Sequence, residues 1–164
     1  MKNLRIAFFT EAGIARGMGH FVRSYTIAKK FKQLGFEVSF FLDSDVNFEH
    51  EFDALILFKW GSFKLDDFYD FIFIDSYEAN IEHYQLISKN CQTPIFIDDF
   101  KRLDYPRGVI LNFSPEANNS FYKQKSIKYH YLLGLKFIPI RDEFLNLKIN
   151  KKQQIFIMLG GTDV

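Results

Sequence analysis

A glycine-bearing loop followed at once by a histidine is the feature of this sequence best suited to chemistry. Gly17 and Gly19 leave no side chains where an apolar run gives way to a helical pattern, so backbone N–H groups at the positive end of that helix can approach an anionic group. His20 falls in the first turn of the predicted helix, where the helix dipole favours a neutral imidazole. Such an imidazole suits a general base or a group that orients water, and a structural or capping role is the alternative.

Polar side chains also follow the other predicted strands. In an open parallel sheet, ligands bind beyond the carboxyl ends of the strands, so these side chains collect at one edge of the sheet. They are Glu11, Asp43 and Asp45, Asp75-Ser76-Tyr77, Asp98-Asp99, and Asn112. Turn formation and helix capping are the structural alternative for each of them.

Arginines and the single cysteine complete the candidates. Arg23 and Arg141 can hold a carboxylate or a phosphate, and ordinary ion pairs are the alternative. The sequence has no HxH, HExxH or GxSxG arrangement, and Cys91 stands alone, so we expect no metal site, no cofactor and no serine-hydrolase chemistry. No acidic ribose-binding residue can be assigned to the GxG segment, which argues against NAD.

Apolar runs that alternate with helical patterns position these residues. Residues 4–10 are typical of a strand buried on both faces, residues 20–34 place apolar side chains at helical spacing, and Gly35 ends that helix. Further strands are predicted over residues 36–42, 54–58, 71–74, 95–97 and 109–111, with a helix over 81–87. The order predicts an α/β fold with a doubly wound, Rossmann-like parallel sheet.

The composition excludes several classes of protein. The chain has 164 residues, of which 48% are hydrophobic and 25% charged, as expected of one globular domain or one half of a two-domain enzyme. The net charge of +1 gives no general attraction to nucleic acid or anionic lipid. The lone cysteine and the lack of a signal peptide or a membrane-length apolar run predict a cytoplasmic protein.

The last residues predict the start of a second unit. Residues 146–154 are typical of a polar linker, and residues 155–164 hold a strand-like apolar run and the Gly160-Gly161 loop. We therefore expect residues 1–145 to form an N-terminal domain. A C-terminal domain is expected to be missing or to be supplied by another chain.

Six segments, in register from residue 4 to the end, resemble one enzyme family. Gly17-Met18-Gly19-His20 with Arg23 is similar to the GxGHxxR opening of the UDP-sugar hydrolases of pseudaminic acid biosynthesis and of related polysaccharide-biosynthesis glycosyltransferases. The other similar segments are Ile74-Asp75-Ser76-Tyr77, Ile97-Asp98-Asp99, Leu111-Asn112, Leu132-Leu133-Gly134 with Pro139 to Phe144, and Leu159-Gly160-Gly161-Thr162-Asp163.

The resemblance implies a GT-B architecture, in which two Rossmann-like domains face each other across a cleft and this chain supplies the N-terminal one. It implies metal-independent hydrolysis of a UDP-linked amino-deoxy sugar of the 2,4-diacetamido-2,4,6-trideoxy-hexose type. The implied setting is the synthesis of pseudaminic (nonulosonic) acid for flagellin or surface glycans. The nucleotide would be held mainly by the C-terminal domain.

The resemblance also implies roles for single residues. His20 would orient or deprotonate the water that attacks the anomeric carbon. Substrate contacts would come from Glu11, Gly17, Gly19, Tyr77, Asn112, Arg141, Gly160 and Gly161. Of these, Tyr77 would lie against the sugar and the Gly160-Gly161 loop near the diphosphate.

Two alternatives stay open. One is a glycosyltransferase of the same fold, in which an acceptor hydroxyl replaces water. The other is a non-catalytic half that binds or assembles with a separate C-terminal chain.

Overall fold

The computed structural model describes residues 4–46, 55–118, 121–122 and 128–145. The strands are β1 (Arg5–Ala12), β2 (Glu37–Ser44), β3 (Leu55–Leu57), β4 (Tyr69–Asp75), β5 (Cys91–Ile97), β6 (Gly108–Asn112) and β7 (Tyr129–Leu133). The helices are α1 (Gly19–Gln33), α2 (Ile81–Lys89) and the short α3 (Asp142–Leu145). The predicted linker and the start of a second unit lie outside the described residues.

All seven described strands lie parallel in one sheet with the order β3-β2-β1-β4-β5-β6-β7. The strand order reverses at β1 and β4, because the chain first builds outward through β2 and then returns to the other side of β1. The predicted α/β fold with a parallel, doubly wound sheet is confirmed. The reversal leaves a crevice beyond the carboxyl ends of β1 and β4, which is where such sheets bind ligands.

Strand β1 is apolar from Ile6 to Phe9 because that stretch is covered on both faces. Ile6 and Phe8 pack on the face that α1 covers, while Ala7 and Phe9 pack on the opposite face with α2. The phenylalanine rings stack across neighbouring strands, with centroids 4.5 Å apart for Phe8 and Phe73. Each buried phenylalanine stabilises the fold by roughly 1.5–3 kcal/mol, so these two layers fix β1 and the residues that follow it.

Helix α1 begins at Gly19 and ends as the spacing predicts. Its first turn carries no acidic residue, and the preceding Met18 gives no side-chain cap, so the positive end of the helix is left to whatever lies beyond it. Gly35 follows the helix with φ of 86°, a conformation that favours glycine. None of the helices in the described ranges is long and apolar enough to cross a membrane.

Strand β5 differs from its prediction. The sequence predicts a strand over residues 95–97, directly after Pro94, but the strand begins at Cys91 and Pro94 lies within it. Proline is tolerated there because pairing with β6 begins at Ile95, so Pro94 precedes the part of β5 that is paired on both sides. Strand β7 forms one edge of the sheet, and its residues are partly exposed. The strands predicted from the sequence end at residue 111 and do not include it.

Candidate functional site

A group of polar side chains gathers at the crevice where the strand order reverses. His20 and Arg23 lie on the first turns of α1, Asp75 ends β4, Tyr77 follows it, and Asp99 follows β5. Two of these, His20 and Asp75, are buried although both are polar. Polar side chains therefore gather at the predicted edge of the sheet, and α1 contributes two of them.

The imidazole of His20 is joined to a buried carboxylate. Its Nδ1 lies 2.6 Å from Oδ1 of Asp75, and the Asp75 side chain is 1% exposed. Burial opposes ionisation of Asp75, but hydrogen bonds from Arg23 and His20 outweigh it and hold its pKa below the ordinary value of 3.8. Because an ionised carboxylate can only accept, the neutral imidazole of His20 in this arrangement is the tautomer with its proton on Nδ1 and a lone pair on Nε2.

Arg23 grips the same carboxylate at two points. Its Nε and one terminal nitrogen donate to the two oxygens of Asp75 at 2.5 and 2.6 Å, and its other terminal nitrogen donates to Asp99 at 2.9 Å. Burial disfavours the charged guanidinium, but the two carboxylates raise its pKa above the ordinary value. The approach of Arg23 to Nδ1 of His20 at 3.0 Å joins two donors, so it is a close contact and not a hydrogen bond.

Tyr77 stands beside the imidazole. Its ring meets the ring of His20 edge to face, with centroids 4.3 Å apart, and its hydroxyl donates to Asp99 at 2.9 Å. Burial and that hydrogen bond raise the pKa of Tyr77 to about 12, so the hydroxyl keeps its proton at neutral pH. With 48% of its surface exposed, Tyr77 forms an open aromatic wall of the crevice.

Glu11 lies behind this wall. Its carboxylate is 1% exposed and accepts hydrogen bonds from the Ser76 hydroxyl, from the backbone N–H of Tyr77 at 2.7 Å and from the indole N–H of Trp60 at 3.1 Å. The backbone N–H of Glu78 donates to it as well, at 3.3 Å. Glu11 therefore holds the turn that carries Tyr77, and the predicted substrate contact of Glu11 stays a prediction.

The two glycines before α1 differ in what they do. Gly17 has φ of 71° and pairs through both backbone groups with Gly13, at 3.2 and 2.7 Å, which closes the loop after β1. Gly19 opens α1 and has free space where a side chain would stand. The structure thus places both at the mouth of the crevice, next to His20.

The predicted substrate contacts Asn112 and Arg141 lie in different parts of the structure. Asn112 is buried at the end of β6, where its amide donates to the backbone carbonyl of Asp99 at 3.4 Å. Arg141 lines a cavity of about 390 Å³ beside the carboxyl half of α1, whose Gln33 hydrogen-bonds Asp142. Gln33 follows His20 by about 20 Å along the helix, so the structure does not bring Arg141 and His20 together.

Gly160 and Gly161 lie outside the described residues. Two of the remaining strand-end acids, Asp43 and Asp98, hold parts of the fold. Asp43 accepts from Lys59, Arg16 and the backbone of Trp60, and Asp98 accepts from the backbone of the turn after β5 and from two tyrosine hydroxyls. In the described ranges no group of three His, Cys, Asp or Glu side chains is arranged to hold a metal ion.

The sequence placed Asp75 and Asp99 among the strand-end acids and gave Arg23 as a residue that can hold a carboxylate, but it did not predict that these side chains meet at His20. Two signals were present: Asp75 ends the strand next to β1 in a doubly wound sheet, and Arg23 follows His20 by three residues, which places both on one face of α1. What the sequence lacks is the pairing of Asp75 with α1 across more than fifty residues.

Comparison with known proteins finds distant similarity along this chain. The chain is 22% identical over 169 residues to the UDP-2,4-diacetamido-2,4,6-trideoxy-beta-L-altropyranose hydrolase of Campylobacter jejuni, which covers 98% of this chain. This chain is therefore similar to a UDP-sugar hydrolase. It is also 25% identical over 188 residues to an uncharacterized protein of Methanocaldococcus jannaschii, again over 98% of its length. No family model and no solved structure matches the chain.

The similarity extends along this chain but not along its relatives. The chain spans 62% of the length of the Campylobacter hydrolase and 37% of the Methanocaldococcus protein. The activity of the hydrolase is a property of a longer protein.

Proposed function

We propose that this chain carries the catalytic histidine of a UDP-sugar hydrolase. The substrate would be a UDP-linked 2,4-diacetamido-2,4,6-trideoxy-hexose, and the products would be UDP and the free sugar. The observation that carries the proposal is the state of His20: its Nδ1 is bound to a buried, ionised carboxylate, and no described residue hydrogen-bonds its Nε2. That arrangement fits a general base, which is the role that the family resemblance implies for His20.

In the proposed reaction, His20 acts as the general base. The Nε2 lone pair of His20 accepts a proton from water as the water oxygen forms a bond to the anomeric carbon. The bond from that carbon to the β-phosphate oxygen breaks, and its electron pair leaves with UDP. The imidazolium that forms is stabilised by Asp75, which keeps its negative charge throughout.

The surroundings of His20 support this use of the imidazole. Arg23 neutralises the buried charge of Asp75 and locks its two oxygens, so the carboxylate presents one oxygen to Nδ1 in a fixed direction. The uncapped positive end of α1 favours negative charge, which develops on the leaving diphosphate. General-base assistance of this kind contributes roughly 10²–10⁴-fold to a rate.

The substrate contacts are part of the proposal. The exposed ring of Tyr77 offers a surface for the sugar, and Gly17 and Gly19 leave room at the mouth of the crevice. We place the uridine and most of the diphosphate on a C-terminal domain, with the Gly160-Gly161 loop near the phosphates. A role in pseudaminic acid synthesis for flagellin or surface glycans, in the cytoplasm, follows from the resemblance.

The test is the release of UDP from that UDP-sugar by the protein, expressed with any coding sequence that continues its frame beyond Val164. In water enriched in ¹⁸O and without an acceptor, we expect UDP to be released free of ¹⁸O, because water attacks carbon and not phosphorus. Label in the UDP would contradict attack at the anomeric carbon.

The same assay separates the alternatives. Release that requires an added acceptor sugar would replace the hydrolase by a transferase. Absence of release, together with formation of a complex with a separate nucleotide-binding chain, would favour the assembly half.

A further inference from the structure

Asp99 belongs to the strand-end pattern and to a family-like segment, but neither gives this carboxylate a role in the site. One of its oxygens accepts from the Tyr77 hydroxyl and its carboxylate also accepts from Arg23, both at 2.9 Å. Arg23 in turn binds Asp75, Asp75 binds His20, and the His20 ring contacts Tyr77. The five side chains form a closed circuit around the His20–Asp75 dyad, and Asp99 is the member that contacts both Arg23 and Tyr77 without contacting His20.

Asp99 fixes the far end of Arg23. The guanidinium donates through Nε and one terminal nitrogen to Asp75, which leaves the other terminal nitrogen for Asp99. A guanidinium that donates at both ends has little freedom to rotate, so Nε and one terminal nitrogen of Arg23 stay on the two oxygens of Asp75. Arg23 therefore fixes the orientation of the Asp75 carboxylate, and with it the hydrogen bond from Nδ1 of His20.

Asp99 also fixes the aromatic wall. The Tyr77 hydroxyl keeps its proton, and its bond to Asp99 sets the angle of 82° at which the ring meets the imidazole. Tyr77 follows β4 in a turn that Glu11 holds by its backbone, so the hydroxyl is the second anchor of this residue. These two hydrogen bonds hold the Tyr77 ring in fixed contact with the imidazole of His20.

Asp99 is itself held in a rigid place. Asn112, from the next strand, donates to its backbone carbonyl. The preceding Asp98 is buried and accepts from the backbone N–H groups of Lys101 and Arg102, which closes the turn after β5. The side chain of Asp99 is 20% exposed, so it lies at the rim of the crevice and not in the core.

We propose that Asp99 is a positioning residue for the reaction at His20, acting through Arg23 on one side of the imidazole and through Tyr77 on the other. The inference rests on the proposed function for its catalytic consequence. Its structural part, the ordering of the His20 side chain, does not depend on any substrate.

The first measurement follows the Nδ1 proton of His20 by NMR of the ¹⁵N-labelled protein without substrate, with the signal assigned through H20Q. The wild-type protein is expected to give a downfield, slowly exchanging Nδ1 proton, because the bond to Asp75 is short and buried. In D99N the proton is expected to shift upfield and to exchange faster. Asparagine offers one acceptor oxygen, and its amide group would face a second donor.

The second measurement is the steady-state release of UDP. D99N is expected to lower kcat by roughly 10–100-fold with a much smaller change in KM, because misplacement of the base slows the step and leaves binding in place. The matched control is D104N, the same change at an exposed acid of the loop between β5 and β6 that pairs with Lys128. Its Nδ1 signal and kcat are expected to equal those of the wild-type protein.

A second variant keeps the test decisive if D99N does not fold. Y77F removes the hydroxyl that Asp99 holds and retains the ring, and it is expected to change the Nδ1 signal in the same direction by a smaller amount. An Nδ1 signal in D99N and Y77F equal to that in D104N would overturn the proposal. Wild-type protein that releases no UDP would overturn the proposed function, and the NMR comparison would still decide the positioning role.

Discussion

Replacement of Asp75 by asparagine changes one atom type at the centre of the site. The wild-type carboxylate accepts from His20, from two nitrogens of Arg23 and from the hydroxyl of Ser24, at 2.5–3.2 Å. Asparagine keeps the shape but has a single acceptor oxygen, and its amide group would point at either Arg23 or His20, which are both donors. The variant also leaves Arg23 with Asp99 as its counter-charge.

These contacts set how much unfolding free energy D75N loses. At least two charge-assisted hydrogen bonds are lost, at roughly 1.5–3 kcal/mol each. Breaking a buried ion pair from one side costs about 3–5 kcal/mol, which agrees with that sum. Against a total unfolding free energy of roughly 5–15 kcal/mol, D75N is expected to be folded but much weakened. The corresponding fall in Tm is roughly 6–20 °C for a chain of this size.

The sign of the pH dependence follows from the lowered pKa of Asp75. A carboxyl whose pKa is lower in the folded state stabilises the protein above its unfolded value of 3.8, and that stability is lost as the pH falls through the folded value. The difference in unfolding free energy between wild-type protein and D75N is therefore expected to be full at pH 7 and to shrink below about pH 4.

The assay is urea denaturation followed by tryptophan fluorescence, since Trp60 is the single tryptophan and is 5% exposed. The control is D104N, which alters an exposed pair and is expected to leave the midpoint unchanged. A midpoint for D75N equal to that of D104N at pH 7, or a difference that grows as the pH falls, would refute the reasoning.

Three other changes test the elements that hold the site. E11Q is expected to lower the unfolding free energy by about 1–3 kcal/mol and to speed hydrogen exchange at the Tyr77 amide, because glutamine offers one acceptor where the buried carboxylate serves four donors; an unchanged exchange rate would speak against the anchoring role. G108A is expected to destabilise the protein by about 1–3 kcal/mol, since the added carbon would stand 2.7 Å from a backbone oxygen of β5, whereas G61A has open space and should be neutral; equal Tm values for the two would show the strands are not so closely packed. Cys91 is buried, which raises the pKa of its thiol to about 12, so iodoacetamide at pH 8 should label it in urea and not in the native protein; rapid labelling of folded protein would contradict this.

Much of the fold follows from local patterns in the sequence. The run from Ile6 to Phe9 is apolar at every position because both faces are covered, and α1 repeats its apolar residues at helical spacing up to Gly35. The bounds differ by a few residues, as at β5, where a proline within the strand hid its first half. The sequence does not show whether a proline lies where both neighbouring strands pair with β5 or only one does, so it could not show that Pro94 is tolerated.

The site was predictable only in part. The position of His20 follows from the helix pattern, and the gathering of acids at one edge follows from the sheet class. Which acid pairs with His20 and which arginine serves the dyad depend on contacts between α1 and the ends of β4 and β5. Glu11 and Asp75 follow neighbouring strands and look alike in sequence, but strand alternation points them to opposite faces of the sheet.

The central claim is that His20 activates the water that releases UDP. The most direct measurement is kcat for UDP release by wild-type protein and by H20Q, which keeps a polar side chain of similar length but has no base. The account predicts a fall in kcat of roughly 10²–10⁴-fold in H20Q with a folded structure and little change in KM. A kcat for H20Q close to that of the wild-type protein would contradict it.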